Sequence, residues 1–150
     1  MARQYPRLGN KMAAFGVSIL LALGPCAAVQ AAPSGATVTA GSATVTTGAA
    51  VTTIHQTSAK TAINWNKFGI GSGETVRFIQ PSASAVALNR VLGSEASAIY
   101  GTLTANGKVF LINPNGILFA PGAQVSVGGL VASTLNLADN DFLAGKYRFS

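Results

Sequence analysis

The sequence predicts an all-β chain, and on pattern alone a parallel solenoid is preferred over an antiparallel sandwich or barrel. Three observations predict it. From residue 61 onward apolar residues fall in short runs separated by Gly, Pro, Asn and Ser. No window sets apolar residues at the 3.6-residue spacing of a helix face, and the one helix-tolerant piece, 93–100, is too short to stand alone. The links between runs are mostly corners, built on single glycines, Pro81-Ser82 and Pro121-Gly122, and only Asn106-Gly107 and Asn115-Gly116 carry a two-residue hairpin signature. A solenoid accepts such corners because its strands pair between coils stacked about 4.8 Å apart, not across hairpins.

The chain opens with a segment that reads as a cleavable signal peptide over residues 1–31. Arg3, Arg7 and Lys11 form a positive start, the twelve residues 12–23 (MAAFGVSILLAL) carry no charge, and Val29-Gln30-Ala31 offers small residues for signal peptidase, with cleavage after Ala31. Twelve residues fall short of the roughly 20 that a membrane-spanning helix requires. Cys26 lies just past the apolar run, where a lipoprotein signal would place it, but Pro25 before it is a poor residue for that processing. The cysteine therefore leaves with the signal.

Removal of residues 1–31 takes three of the ten basic residues and none of the four acidic ones, so the net charge falls from +6 to +3. No block of Lys or Arg remains, which gives no electrostatic case for nucleic acid as a partner. The mature chain has no cysteine, so disulfides and thiolate metal sites are excluded. Its 119 residues make one domain able to bury roughly two thirds of the unfolded surface.

Residues 36–59 (ATVTAGSATVTTGAAVTTIHQTSA) place β-branched side chains at alternate positions around Gly41 and Gly48, which predicts thin strands at one end of the fold. The runs TAINW, TVRFIQ, VALNRV, GTLT, KVFLI, GILFA, AQVSVGG and GLVAST follow as strands. In 75–80 Val76 and Phe78 share one face while Arg77 and Ile79 share the other, so one side is buried. Residues 109–112 are apolar throughout and should be buried on both.

At the centre of 105–134 stands Asn113-Pro114-Asn115-Gly116, with the residue preferences of a type I turn. Pro114 presets φ, Asn113 bonds back to the turn backbone, and Gly116 permits a positive φ before the next strand. Alone, such a turn is a well-made corner and nothing more. It is not alone: INWNKFGIG (63–71), ETVRFIQPSASAVALNRVLG (74–93) and SAIYGTLTANGKVFLINPNGILF (97–119) stand in order around it.

Together these segments resemble the two-partner secretion domain of filamentous haemagglutinin-like exoproteins, and most of all its high-molecular-weight adhesin branch, over roughly 36–150. The resemblance implies a right-handed parallel β-helix with an amino-terminal cap, spanning 32–150. It implies export to the periplasm, recognition there by the POTRA domains of an outer-membrane transporter, nucleation of β-helix folding during export, and a secreted or cell-surface location. The family's turn falls on Asn113, Pro114, Asn115, Gly116 and Ile117, and its second block on Asn89, Arg90 and Val91. These residues are the candidates for transporter recognition or for a structural turn. The NPNL motif of the haemagglutinin branch is absent. Family domains continue through further coils into a long passenger, so a chain ending at Ser150 is expected to be a carboxyl-terminally truncated piece, with any host-surface ligand belonging to the passenger.

No catalytic constellation is legible. His55 stands without a second histidine or cysteine, the acidic residues are scattered at 74, 95, 139 and 141, and no cofactor or metal is expected. Asp139-Asn140-Asp141 lacks the rest of a calcium loop and reads as a solvated turn. The alternative function is a carbohydrate- or host-surface-binding adhesin domain using Trp65, Tyr100 and Tyr147, although the run Ile63, Trp65, Phe68 suits burial.

Overall fold

A computed structural model describes residues 31–150, and the assigned signal peptide lies outside the described residues apart from its last residue, Ala31. The strands in order are β1 (Thr37–Ala40), β2 (Ala43–Thr47), β3 (Val51–Gln56), β4 (Lys60–Trp65), β5 (Thr75–Ile79), β6 (Val86–Val91), β7 (Ser97–Ile99), β8 (Thr102–Ala105), β9 (Lys108–Ile112), β10 (Ile117–Phe119), β11 (Gln124–Ser126) and β12 (Gly129–Ser133). They wind into a β-solenoid of about four turns. Rung one holds β3 and β4, rung two β5 to β7, rung three β8 to β10, and rung four β11 and β12. Corresponding strands stack in parallel, with Val86 opposite Lys108 and Thr102 opposite Gln124, each pair 22 residues apart.

Three faces result. One sheet runs β1-β4-β6-β9-β12, a second β2-β3-β5-β8-β11, and a two-stranded third pairs β7 with β10, with a single bridge from Ile70 to Ile99. The thin Thr-rich strands expected at one end of the fold form the amino-terminal cap. There β1 and β2 run antiparallel to β4 and β3, the reverse of every stacked rung.

Alternation decides the core. Val76 and Phe78 point inward and are buried while Arg77 and Ile79 are exposed, as the pattern predicts. Ile54, Ile63, Trp65, Phe68, Ile70, Ile99, Leu103 and Leu111 complete the interior, each contributing roughly 1.5–3 kcal/mol by burial. Strand β9 is buried on both faces: Val109 and Leu111 face inward, Phe110 and Ile112 outward beneath residues 134–150.

That outer cover departs from the sequence reading. Residues 139–141 are not a solvated turn but begin a five-residue helix, Asp139–Leu143, the one helix among the described residues. Helices this short do not stand alone. This one exists because Phe142 is fully buried against Phe110, ring centroids 6.1 Å apart, and because Asp139 is engaged by Arg90 and Thr39. Strand β7 was also missing from the predicted set, being three residues long and without an apolar run.

Side-chain amides continue the ladders around the corner between the two large sheets. Gln80 donates through Nε2 to Gln56 Oε1 (3.2 Å) and to the Lys108 carbonyl (3.1 Å), while its Oε1 accepts from the Gly107 amide (2.8 Å). Asn106 exchanges two bonds with the Gln80 backbone, both 2.8 Å, as a strand residue would. Gly107 is required by closeness: a Cβ there would lie 2.7 Å from the Ala85 carbonyl oxygen.

Candidate functional site

The Asn113-Pro114-Asn115-Gly116 turn joins the face carrying β9 to the one carrying β10. The Gly116 amide donates to the Asn113 carbonyl at 3.0 Å, which closes the turn, and Gly116 adopts φ +110°. Asn113 is buried and bonds in three directions. Its Oδ1 accepts from the Asn115 amide (2.9 Å), its Nδ2 donates to the Glu95 carbonyl and to Ser97 Oγ (both 2.9 Å), and its own amide donates to the Ser133 carbonyl (3.0 Å). One residue thus ties rungs two, three and four together. Asn115 Nδ2 donates to the Gly93 carbonyl at 2.8 Å, and the Ser97 amide donates to the Gly116 carbonyl at 3.0 Å.

The second block divides by side-chain direction. Asn89 and Val91 face the interior, where Asn89 Oδ1 accepts from Trp65 Nε1 (2.9 Å) and its Nδ2 donates to the Phe110 carbonyl (3.3 Å). Arg90 faces out, but its guanidinium is taken up by Asn64 Oδ1 (2.8 Å), Asn136 Oδ1 (2.9 Å), the Leu137 carbonyl and Asp139 Oδ1 (2.8 Å). The two motif blocks are neighbours on adjacent rungs, Arg90 lying opposite Ile112, but their side chains do not form one accessible surface. Of the eight residues, Pro114 and Asn115 are exposed and Arg90, Gly116 and Ile117 partly so. Leu92 (64% exposed) and Leu118 (52%), which are not among the candidate site residues, flank Gly93 and the turn in sequence.

Residues 29–150 match the family model described as the TPS secretion domain. The chain belongs to the TPS secretion domain family. Two Haemophilus influenzae proteins, each named heme/hemopexin-binding protein, are 47% identical over 105 residues and 48% identical over 98. The matches take in 70% and 65% of this chain but only 12% and 11% of those proteins, so the chain spans about an eighth of their length. The crystal structure of the HMW1 secretion domain from Haemophilus influenzae shares the fold at TM-score 0.72 and 35% identity, covering 75% of this chain and 30% of that one.

A TPS secretion domain serves secretion, and its polar side chains here are spent on architecture. Glu74 accepts from the Gly71 amide (2.7 Å), Glu95 pairs with Lys67 at the surface (2.8 Å), and Asp139 is held by Arg90. His55 is exposed on β3 between Thr44 and Ile79. Among the described residues no three of His, Cys, Asp and Glu converge as a metal site would require. Trp65 is 1% exposed, which removes it from any sugar-binding surface of this domain. Substitution of Gly116 by Val should destabilise the domain by about 1–3 kcal/mol, because a β-branched residue is strained at φ +110°. Urea unfolding checks this, and an unchanged midpoint would show that the turn relaxes.

Proposed function

We propose that residues 32–150 are the secretion-targeting module of a two-partner secretion exoprotein, bound in the periplasm by the POTRA domains of its outer-membrane transporter. On this reading residues 1–31 direct the first membrane crossing and the module directs the second. The observation that carries the proposal is the turn at 113–116, a fixed corner that projects Pro114 and Asn115 while its remaining polar groups bond between rungs. Beside it Leu92 and Leu118 offer apolar area to a partner.

The module also templates β-helix growth. Val125, Leu130 and Phe119 occupy inward-facing registers on the last strands of the three faces, stacked on the buried Leu103, Val109 and Ile99, yet all three are exposed. A further rung laid on β10, β11 and β12 would cover them and satisfy those strand edges. The mature product is then secreted or held at the cell surface. The name of the Haemophilus relatives suggests a haem- or hemopexin-directed passenger as the kind of cargo such a module exports.

Calorimetry with the purified periplasmic domains of the cognate transporter tests the docking. The wild-type chain should bind, and Leu118→Ser should weaken binding roughly tenfold with the urea midpoint unchanged, since the side chain is exposed. Asn115→Ala, which loses the bonds to the Gly93 carbonyl and to Asn113 Oδ1 but keeps its backbone amide, should lower secretion while the fold persists. Absence of heat with the wild-type chain would refute the reading.

A further inference from the structure

Residues 134–150 form a closed strap. Asn136 and Ser150 exchange two backbone hydrogen bonds, 3.0 and 2.9 Å, so the segment leaves the end of β12 and returns upon itself. The strap lies on the outer face of the β1-β4-β6-β9-β12 sheet, over a line of side chains in direct register across all five strands: Ala40, Ala62, Leu88, Phe110 and Val131. Leu137 and Phe142 are fully buried on this line, and Tyr147 and Phe149 bring their ring centroids to 5.0 and 6.2 Å from that of Phe110.

Its polar contacts cross the same strands. Thr39 of the cap donates to Asp139 Oδ2 (2.9 Å), Lys60 of rung one donates to the Leu143 carbonyl (3.1 Å), and Arg90 of rung two holds Asn136, Leu137 and Asp139. A rung of a solenoid ordinarily touches only its neighbours, which lets such folds open from an end one rung at a time. This strap follows rung four in the chain and grips the cap at the other end of the stack. It has all five strands as its precondition.

We propose that the strap is a latch, with Arg90 as its catch, that closes only after the cap and rungs one to four are in place and then makes the cap and the strap open together. Unlatched, the cap and rungs open one at a time. Latched, the cap and the strap open as one unit. This inference rests on the packing of residues 134–150 and is independent of how the transporter recognises the module. It assigns to Arg90, a candidate for transporter recognition or for a structural turn, a positioning role toward the strap.

Hydrogen exchange read by mass spectrometry on the full chain tests it. In the wild-type protein, peptides covering the strap and β1 should exchange at a common rate. Arg90→Met keeps much of the stem and removes the charged donors, and should accelerate exchange in both the strap and β1 by roughly ten- to a hundredfold, with β8 changed far less. Thr39→Val removes the hydrogen bond from the cap to Asp139, with a longer one to the Ala62 carbonyl, and should speed β1 while the strap remains protected. Asp139→Asn, the mildest change at the catch, guards against a fold lost outright in Arg90→Met and should shift the strap and β1 in the same direction by a smaller factor. The latch is refuted if either variant at the catch loosens the strap and leaves β1 as protected as before, or if every strand accelerates equally, which would mark Arg90 as a general stabiliser.

Discussion

Asn113→Ala is expected to lower the unfolding free energy by about 2–4 kcal/mol and to abolish secretion. The fully buried amide it removes makes bonds to the Glu95 carbonyl, to Ser97 Oγ and from the Asn115 amide. Alanine leaves those partners without a replacement, and a buried polar group left unpaired costs about 1–3 kcal/mol. The loss should exceed that of Asn115→Ala, whose bonds to the Gly93 carbonyl and to Asn113 Oδ1 lie at or near the surface and contribute about 0.5–1.5 kcal/mol each. Asn113→Asp adds a sign to the test. Its carboxyl would sit without solvent beside the Glu95 carbonyl oxygen, so its folded pKa should rise above the unfolded value of about 3.9. A raised carboxyl pKa means that the folded state holds the proton longer. The variant should therefore be least impaired below about pH 4 and lose stability as pH rises through the folded pKa. Urea unfolding followed by circular dichroism across pH reads both effects, and an Asn113→Ala midpoint no lower than that of Asn115→Ala would contradict them.

What was legible in the sequence was whatever local periodicity determines. Val76 and Phe78 alternate with Arg77 and Ile79, and 109–112 is apolar without alternation, so the one-sided burial of β5 and the two-sided burial of β9 follow from the chain itself. The corners followed from Asn113, Pro114 and Gly116 for the same reason, since turn preferences act over four residues. What covers the second face of β9 was not legible. The helix at 139–143 has a single buried residue, Phe142, and its partners on β1, β4 and β9 lie far away in sequence. Arg90 shows the same limit at the candidate site. Asn136, Leu137 and Asp139 stand 46, 47 and 49 residues downstream, so a candidate recognition residue is occupied in the fold by groups that sequence proximity does not reveal. Asn89 is polar, yet a solenoid interior turns it toward Trp65. Motif membership located the architecture correctly and left open which members a partner can touch.

Trp65→Ala should be the most damaging single change in the interior, costing about 3–5 kcal/mol by loss of buried volume. The ring meets Phe68 edge-on at 5.4 Å and 79°. Its Nε1 donates to Asn89, which in turn donates to the Phe110 carbonyl, so a chain of bonds runs from rung one through rung two to rung three. Truncation removes the packing and also orphans Asn89 Oδ1. The polar share can be isolated with Trp65→Phe, which keeps an aromatic ring, and Asn89→Leu, which removes the acceptor. Each single change should cost about 1–3 kcal/mol by leaving the other group unpaired, and the double variant should cost less than their sum by about 1 kcal/mol. Because Trp65 is the single tryptophan of the chain, its fluorescence follows unfolding in the wild type and in Asn89→Leu, and circular dichroism follows the variants that lack it. Strict additivity would show that the two groups do not depend on each other. With the coupling present, a stably folded double variant should still bind the transporter's periplasmic domains, because neither side chain reaches the surface. Asn89 would then act in secretion only by aligning the rungs that carry the exposed turn.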